Sequence, residues 1–558
     1  MPPGIPLPPT AKSTAERLFP FLTPAQIERV AAHGQRRTMA AGEVLADVGD
    51  SAGRFFVVLA GQIESVRQTA TGDETIALHE RGQFTGEVSL LSGRRALLRS
   101  RARLAGEVIE INREQLLALI QTDAEISELL MRAFILRRVE LISRGISDAI
   151  VIGSSYCAKT LGVKEFLTRN GHPFTYIDLD KQPDVQALLD RFHVTATDIP
   201  LLVCHGDIVL RHPTPAEIAS CLGFNPAVDA AELYDLVVVG AGPAGLAAAV
   251  YAASEGLRVI VVEGRSPGGQ AGTSSKIENY LGFPTGISGQ ALAGRAYTQA
   301  QKFGASVLVA RSALRLVCTE RQYQVDIGDH TSLRTRTIVV ATGAEYRKPP
   351  LEEVPRFEGV GVYYAATFME AQLCSGEDVI VIGGGNSAGQ AAVFLAQTAR
   401  HVYVLVRSGG LAQTMSHYLV RRIEEHPGIT VCTTTEIVRL EGTSHLERVH
   451  WQNRVSGRVE PHDIRHIFIM AGALPATEWL KPCVALDGNG FVLTGSELPH
   501  EVLADAKWPL SRAPYLLETS LPGVFAAGDV RAGNVKRVAS AVGEGSIAIS
   551  FVHRVLAE

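Results

Sequence analysis

The 558-residue sequence lacks any pair of cysteines spaced closely enough to form Cys-x-x-Cys. Its seven cysteines are scattered along the chain, at positions 157, 204, 221, 318, 374, 432 and 483. This spacing argues against a zinc site and against a disulfide framework. The sequence therefore predicts reduced thiols, a cytoplasmic location and no metal.

The chain also lacks a signal peptide, an uninterrupted apolar span and a strong excess of one charge. Its start, MPPGIPLPPT, has no charged segment followed by an apolar one, and residues 1–14 are rich enough in proline and glycine to predict a flexible tail. The most hydrophobic stretch, residues 233–262, is broken by glycines and charges, so no membrane span is expected. A net charge of −5 gives no reason to expect nucleic acid or an anionic membrane as a partner.

What the chain does contain is organised around Tyr234–Glu263, which has the pattern strand, glycine-rich turn, helix, strand and acid. The turn carries Gly240, Gly242 and Gly245, the spacing of a dinucleotide-binding fingerprint. Gly240 allows the tight turn, Gly242 lets the backbone approach a pyrophosphate, and Gly245 permits close packing of helix and strand. Glu263 is placed to accept hydrogen bonds from a ribose diol. Because its carboxylate repels a 2′-phosphate, this site is not expected to hold NADP.

Ahead of this fingerprint, residues 15–145 are predicted to form a β-barrel or jelly roll that ends in helices. Short β-rich runs separated by glycines predict strands at Arg54–Leu59, Gln62–Arg67, Thr75–His79 and Glu107–Ile111. Apolar residues at helical spacing predict helices at Arg113–Ile120 and Ala124–Ser143.

The stretch FTGEVSLLSGRRALLRSRA, residues 84–102, resembles the phosphate cassette of cyclic-nucleotide-binding domains of the cAMP-receptor type. The resemblance implies that Gly86 and Glu87 contact the ribose and that an arginine grips the cyclic phosphate. Ungapped alignment places Ala96 at that arginine position, and a shift of one residue brings in Arg95. Two alternatives remain: a cyclic nucleotide site at Gly86, Glu87 and Arg95, or a barrel kept as a docking or regulatory module.

Residues 148–225 form a small unit with the predicted order β-α-β-α-β-β-α. Its expected elements are strands at Ala149–Gly153, Phe174–Leu179, Leu201–Cys204 and Ile208–Leu210, and helices at Lys159–Asn170, Pro183–Phe192 and Thr214–Leu222. This order, together with SSYCAKT and DIPLL, resembles the thioredoxin or glutaredoxin family.

The resemblance places Cys157 where that family has its nucleophile, between a strand end and a helix start. The helix N-terminus and Lys159 would favour the thiolate. Thr160 replaces the second cysteine, and Pro200 matches the cis-proline of the family. Cys157 is therefore either a redox relay or an incidental cysteine on a retained scaffold, because one thiol cannot close its own disulfide.

After a linker at 226–233, the rest of the chain resembles the low-molecular-weight thioredoxin reductases. The resemblance implies an FAD domain formed by residues 234–352 and 471–558, with an NAD(P)H domain of residues 353–470 inserted in it, both Rossmann-like α/β units. It rests on an ordered set of motifs: the GGQ turn, the IENYLGFP segment, VVATG, FAAGDV and KRV. The residues that it assigns to FAD are Gly240, Gly242, Gly245, Glu263, Gly269, Gln270, Asn279, Thr342, Gly343, Gly528, Asp529, Arg537 and Val538.

A second fingerprint follows the strand at 378–382. Its turn contains Gly383, Gly385, Asn386, Ser387 and Ala388, and its second strand ends at Arg407 and Ser408 instead of an acid. A fixed cation and a hydroxyl suit a 2′-phosphate, so NADPH is favoured over NADH.

The segment GVYYAATFME, residues 361–370, departs from the reductase family. The family carries Cys-Ala-Thr-Cys followed by Asp-Gly here, whereas this chain has Ala365, Ala366, Thr367 and Phe368. Both sulfurs and the aspartate are missing, so electrons from the flavin cannot leave through an adjacent dithiol.

Three functions are compatible with the sequence. The first is an FAD- and NADPH-dependent reductase of a disulfide or thioredoxin-like partner, with Cys157 as relay and the barrel as regulator. The second is a reductase of ferredoxin, flavodoxin or another external acceptor, including a small molecule. The third is a regulatory protein that senses a cyclic nucleotide or the redox state. The resemblance to the reductase family also implies a homodimer.

Overall fold

The computed structural model describes residues 14–50, 53–69, 72–155, 157–181, 194–206, 208–229, 231–318, 322–472 and 474–558. The predicted tail lies almost entirely outside these residues, as does the predicted helix at Pro183–Phe192. Across the described ranges, no helix is both long enough and apolar enough to span a bilayer.

The first unit is an antiparallel β-structure closed by helices. Its elements are α1 Thr14–Leu18, α2 Pro24–Ala31, β1 Gln35–Met39, β2 Val44–Ala46, β3 Arg54–Thr69, β4 Gly72–His79, α3 Ser89–Ser92, β5 Arg99–Asn112, α4 Arg113–Thr122 and α5 Ala124–Ser143. The sheet order is β1-β5-β3-β4, and β2 also pairs with β5. Phe55, Phe84 and Phe134 pack edge-on in the core between the sheet and helix α5.

Strand β3 is one continuous strand, although the sequence predicts two runs separated at Gly61. Gly61 has φ of +80°, and the pairing register with β5 shifts around it, which marks a bulge and not a turn. A Cβ at Gly61 would lie 2.6 Å from the carbonyl oxygen of Ala105, and one at Gly106 would strike that of Ala60. The two glycines therefore let β3 and β5 approach closely where both strands bend.

The second unit is a four-stranded sheet with helices. It consists of β6 Ala149–Gly153, α6 Ala158–Arg169, β7 Thr175–Asp178, a 3₁₀ turn at Ala196–Asp198, β8 Leu201–Cys204, β9 Ile208–Arg211 and α7 Pro215–Cys221. The sheet order is β7-β6-β8-β9, with β6 and β7 parallel and the other pairs antiparallel. The Ile199–Pro200 peptide bond is cis, as the resemblance implies.

The remaining residues alternate strands and helices. As far as residue 345 these are β10 Leu233–Val239, α8 Pro243–Ser254, β11 Val259–Glu263, α9 Gly289–Lys302, β12 Ser306–Val309, β13 Arg315–Cys318, β14 Tyr323–Asp326, β15 Ser332–Val340 and β16 Ala344–Glu345. They are followed by α10 Val354–Phe357, β17 Val362–Tyr363, α11 Phe368–Leu373, β18 Asp378–Ile382, α12 Asn386–Leu395, β19 His401–Leu405, α13 His417–Glu424, β20 Ile429–Cys432, β21 Thr435–Glu441, β22 Arg448–Asn453, β23 Val459–His462, β24 His466–Ile469 and β25 Leu474–Pro475. The last elements are α14 His500–Asp505, β26 Val524–Ala526 and α15 Val538–Ala557.

Two sheets of Rossmann type result, each with a glycine-rich turn at the carboxyl end of a central parallel strand. One has the order β12-β11-β10-β15-β14-β13, with the late strand β26 also paired to β15. The other has the order β17-β24-β18-β19-β20. Because parallel strands end at the same edge, both glycine-rich turns lie where such sheets bind nucleotides.

The cysteine chemistry differs from the sequence expectation. Cys318, at the end of β13, is bonded to Cys483, with the two Cα atoms 6.2 Å apart. The prediction of reduced thiols throughout is wrong for this pair. Their separation of 165 residues concealed the contact, which forms because the 3₁₀ turn at Glu478–Leu480 packs on the β13 side of the sheet. The other five cysteines form no disulfide within the described residues: Cys157, Cys204, Cys221, Cys374 and Cys432.

Candidate active site

One large cavity, of about 860 Å³, lies at the carboxyl edge of the first Rossmann-type sheet. Its volume is within the range of ligand pockets. Of the residues that the sequence assigns to FAD, all except Gly245 line it: Gly240, Gly242, Glu263, Gly269, Gln270, Asn279, Thr342, Gly343, Gly528, Asp529, Arg537 and Val538. The structure thus brings together residues from both ends of the region 234–558, while their assignment to FAD stays a prediction.

The glycines of the first turn leave room that side chains would fill. A Cβ at Gly269 would lie 3.1 Å from the Cα of Gly242, so the two turns form a cradle of bare backbone at the cavity. A Cβ at Gly240 would strike the carbonyl oxygen of Ala341, and one at Gly245 would strike that of Gly240. Gly242 and helix α8, which begins directly after it, present backbone N–H groups where a pyrophosphate would sit.

Glu263 closes the fingerprint with both carboxylate oxygens already engaged by backbone. They accept hydrogen bonds from the amides of Ala241, at 2.7 Å, and Arg265, at 2.8 Å. Burial raises the pKa of the Glu263 carboxyl, and those hydrogen bonds act in the opposite direction. The carboxylate is thereby fixed in orientation at the rim of the cavity, as a ribose diol requires.

At the far end of the cavity, Asp529 faces the space where the fingerprint and the late FAAGDV motif meet. Burial raises the pKa of the Asp529 carboxyl, and the nearby Lys536 ammonium partly offsets this. Glu544, on α15, accepts a hydrogen bond from the amide of Gly528 at 2.7 Å and so fixes the backbone beside Asp529. A buried carboxylate at this position suits the hydroxyl groups of the polyol chain of a flavin.

One wall of this cavity comes from the second unit, which the sequence did not predict. Helix α6 contributes Ala158, Leu161, Gly162, Glu165 and Arg169, all on one helical face. Ala158 follows Cys157 directly and packs on Gly359, where a Cβ would come within 2.5 Å of the alanine methyl. The spacing of these residues at i, i+3, i+4, i+7 and i+11 is the signal that could have revealed the face.

The segment that replaces the missing dithiol lines the same cavity. Ala365 faces it, and Ala366 forms a backbone bridge with Ser274 beside the GGQ turn. Glu370, which the sequence reasoning did not single out, also faces the cavity and accepts a hydrogen bond from the Thr367 amide at 2.8 Å. Burial raises the pKa of the Glu370 carboxyl. A carboxyl therefore lies near the position of the lost aspartate, although no sulfur stands at residues 365–368.

The second fingerprint is only partly directed into this cavity. Asn386 and Ser387 line it, whereas Gly383, Gly385 and Ala388 form the turn behind them. Arg407 and Ser408 lie exposed just beyond β19, where they are accessible to a ligand phosphate. Arg422 connects the region of the second fingerprint to that of the first fingerprint by an ion pair with Glu278 at 2.6 Å.

The cassette residues of the barrel contact protein groups. Glu87 forms an ion pair with Arg138 of α5 at 3.5 Å. The Arg95 side chain lies against Gly223 of the second unit, where a Cβ would come within 2.8 Å of it. The carbonyl oxygen of Gly86 accepts a hydrogen bond from Arg137 at 2.7 Å. This arrangement favours the docking alternative over a cyclic nucleotide site.

A fold with two glycine-rich nucleotide turns and a shared cavity defines a class of two-nucleotide oxidoreductases. The model for the pyridine nucleotide-disulphide oxidoreductases matches residues 234–545, and the model for the cyclic nucleotide-binding domain matches residues 36–123. Because the first match spans more than half of the chain, the protein belongs to the pyridine nucleotide-disulphide oxidoreductase family.

Individual relatives agree with this assignment. A thioredoxin reductase of Ureaplasma parvum is 32% identical over 321 residues, covering 57% of this chain and 96% of that protein. One component of the alkyl hydroperoxide reductase of Escherichia coli is 33% identical over 344 residues, 61% of each chain. Among solved structures, thioredoxin reductase from Lactococcus lactis has a TM-score of 0.52 at 25% identity, covering 58% of this chain and 99% of that one. That from T. acidophilum has a TM-score of 0.51 at 27% identity, with the same coverage.

The protein is accordingly a thioredoxin reductase-like oxidoreductase with an N-terminal domain of the cyclic nucleotide-binding type. The predictions that it is an enzyme and that FAD and NADPH are its cofactors are confirmed. The bare cradle at Gly242 and Gly269 and the carboxyls of Glu263 and Asp529 fit FAD. When bound there, FAD supplies two-electron transfer between NADPH and an acceptor.

Proposed function

We propose that the protein is an NADPH-dependent disulfide reductase in which Cys157 receives the acceptor sulfur. In this proposal residues 148–225 are a thioredoxin-type domain, residues 234–352 and 471–558 hold FAD through the predicted cavity residues, and residues 353–470 are the inserted NADPH domain. Arg407 and Ser408 would bind the 2′-phosphate of NADPH.

The observation that carries the proposal is the shared wall of the cavity. Helix α6 begins directly after Cys157, and its face from Ala158 to Arg169 lines the same cavity as Gly242, Gly269 and Asp529. Helix α6 thus lines the cavity in which we propose that the flavin binds, in a chain whose Ala365 and Phe368 replace the dithiol of the family.

The chain's own chemistry begins with the Cys157 thiolate. It attacks an acceptor disulfide, forms a mixed disulfide and releases one acceptor thiolate. Two electrons supplied by NADPH, together with a proton, then cleave that mixed disulfide, release the second acceptor thiol and restore the Cys157 thiolate. In this proposal Glu370, which faces the cavity and whose pKa is raised by burial, carries the proton.

The test is Cys157→Ser in the FAD-loaded protein, with Cys432→Ser as the matched control. Cys432 is also half-buried and outside any disulfide, but it lies on β20, away from the cavity. NADPH-dependent reduction of an aromatic disulfide should fall to background in Cys157→Ser and persist in Cys432→Ser, while anaerobic bleaching of the flavin by NADPH persists in both.

Equal disulfide reduction by Cys157→Ser and Cys432→Ser would overturn the relay. In that case an external acceptor such as ferredoxin or flavodoxin should restore the yellow colour of the reduced protein, with every thiol blocked. This second function is favoured by the absence of sulfur at residues 365–368, where the family carries its dithiol.

We further propose that the barrel regulates the redox units and that the protein is a homodimer. The regulatory role is supported by direct contact of the barrel with both, through Arg94, which donates hydrogen bonds to the carbonyl of Asn170 and the hydroxyl of Tyr297. Light scattering should give twice the mass of one chain, and a monomer would contradict the dimer.

A further inference from the structure

The end of helix α6 is held by arginines of the barrel. Arg94 donates a hydrogen bond to the carbonyl oxygen of Asn170, and Arg138 donates one to that of Gly171, each at 2.9 Å. Both arginines are buried, with 5% and 8% of their surface exposed. Asn170 is the C-cap residue of α6 and Gly171 follows it, so the two contacts place cations at the end of the helix, where cations are stabilising.

The same short segment contacts the flavin turn from its other side. Arg169 donates a hydrogen bond to the carbonyl oxygen of Gly269 at 3.0 Å, and the Asn170 amide donates one to the Ser266 hydroxyl at 3.2 Å. Ser266 is 2% exposed and Asn170 is 5% exposed, so the hydrogen bond between them does not compete with bulk water. The three consecutive residues 169–171 therefore contact the barrel on one side and the segment of the GGQ turn on the other.

The two arginines are fixed by groups of their own. The Arg94 guanidinium lies 4.3 Å from the centre of the Phe224 ring and donates to the Tyr297 hydroxyl at 3.2 Å. Arg138 forms the ion pair with Glu87. Planar, multidentate contacts of this kind position a helix end more closely than a flexible lysine could.

We propose that Arg94 and Arg138 are positioning residues of the flavin site, which hold residues 169–171 so that helix α6 forms the wall of the cavity. The inference deepens the proposed function, since it takes α6 as the helix that presents Cys157. It gives the cassette of the barrel a role in the redox reaction that requires no nucleotide.

The experiment compares Arg138→Met with Arg132→Met in the full-length, FAD-loaded protein. Arg132 lies on the same helix, but its side chain is 62% exposed and forms an ion pair with Glu128 one turn away. Arg138→Met should speed amide hydrogen exchange in residues 158–170 by about tenfold, because a buried hydrogen bond from a charged donor is lost. Iodide should also quench flavin fluorescence more strongly, and Arg132→Met should match wild type in both measurements.

A purely structural role within the barrel would lower its melting temperature and leave α6 exchange and iodide access unchanged, which would overturn the proposal. Arg138→Lys, which keeps the positive charge but lacks the planar guanidinium with its several N–H donors, should give an intermediate exchange rate. If Arg138→Met fails to fold, Ser266→Ala interrupts the same chain of contacts from the flavin side and should produce the same increase in α6 exchange.

These measurements need neither NADPH nor a disulfide, so they are independent of the proposed relay. In a Cys157→Ser background, the exchange difference between Arg138→Met and Arg132→Met should persist. Loss of disulfide reduction in Cys157→Ser therefore tests the function, whereas exchange of α6 tests the positioning.

Discussion

Two motifs of nucleotide type in this chain differ in what their polar groups contact. At the first fingerprint, Gly242 and Glu263 face a cavity of about 860 Å³. In the barrel cassette, Glu87 and Arg95 face other protein groups, Arg138 and the backbone at Gly223. Both motifs resemble their families in sequence, the cassette less closely because Ala96 stands at its arginine position, and the first motif is the one that leaves its binding groups available. A motif thus predicts the local backbone, and the surrounding packing decides whether a ligand can enter.

The largest effect should come from filling the first fingerprint. In Gly245→Ala the new Cβ would strike the carbonyl oxygen of Gly240, so helix α8 and strand β10 must separate. Overpacking of this kind costs about 1–3 kcal/mol or more, and we expect purified Gly245→Ala to have lost most of its FAD absorbance.

The matched control is Gly385→Ala in the second fingerprint. Gly385 has no atom within 4 Å of an added Cβ and no positive φ. This variant should keep its FAD and change only the KM for NADPH. Equal FAD content in the two alanine variants would contradict the difference in packing.

The second fingerprint is intermediate between these two motifs in how available its polar groups are, because its arginine is exposed to solvent and does not line the cavity. Arg407 lies beyond the end of β19, accessible to a 2′-phosphate. Loss of a charged hydrogen bond should raise the ratio of kcat/KM for NADH to that for NADPH about tenfold in Arg407→Ala. Arg400→Ala is the control, since Arg400 is exposed on the same unit but pairs with Asp378 at 2.7 Å. An unchanged ratio would make Arg407 an ordinary surface charge.

The sequence predicted elements and motifs well wherever the determinants are local. Strands such as Ala149–Gly153 and Asp378–Ile382 were predicted to the residue, since a buried apolar run between turns defines them. The α6 wall, the Cys318–Cys483 bond and the Glu87–Arg138 pair were missed because each depends on how distant segments pack. The periodicity of one segment shows which of its faces is buried, but it does not show which distant segment packs against that face.

A smaller effect is expected from the buried cluster behind the cassette. Asp148 contacts His172 at 2.9 Å and His205 at 3.0 Å, and Arg94, Arg95 and Arg138 of the barrel lie close enough to influence the imidazoles. Burial alone would raise the pKa of Asp148, but the hydrogen bond from His172 and the adjacent His205 imidazole lower it. The adjacent Asp148 carboxylate raises the pKa of His205, whereas burial lowers that of His172.

The direction of the pH dependence of stability follows from the raised pKa of His205. Its stabilisation is complete below its unfolded pKa of about 6.5 and disappears as the pH rises through the higher folded value. His205→Asn keeps a residue that tolerates the observed φ of +54°. The substitution should lower the free energy of unfolding by about 1 kcal/mol more at pH 6 than at pH 9. The melting temperature should therefore fall more at pH 6. A loss that is equal at both pH values would show that His205 stays neutral. His212→Asn, also at positive φ but exposed, is the control.

The smallest effect should follow addition of a cyclic nucleotide. To bind ribose, Glu87 would have to give up Arg138, which would leave a buried guanidinium with the Gly171 carbonyl and the Ser89 hydroxyl as its remaining partners. The gain would be small, because Ala96 stands at the position of the phosphate-binding arginine and Arg95 is directed towards Gly223. Cyclic AMP or cyclic GMP at millimolar concentration should therefore produce no calorimetric heat and no rise in melting temperature. A melting temperature that rises with ligand concentration would show that the nucleotide binds the cassette. The contacts between the cassette and the second unit would then have to break on binding.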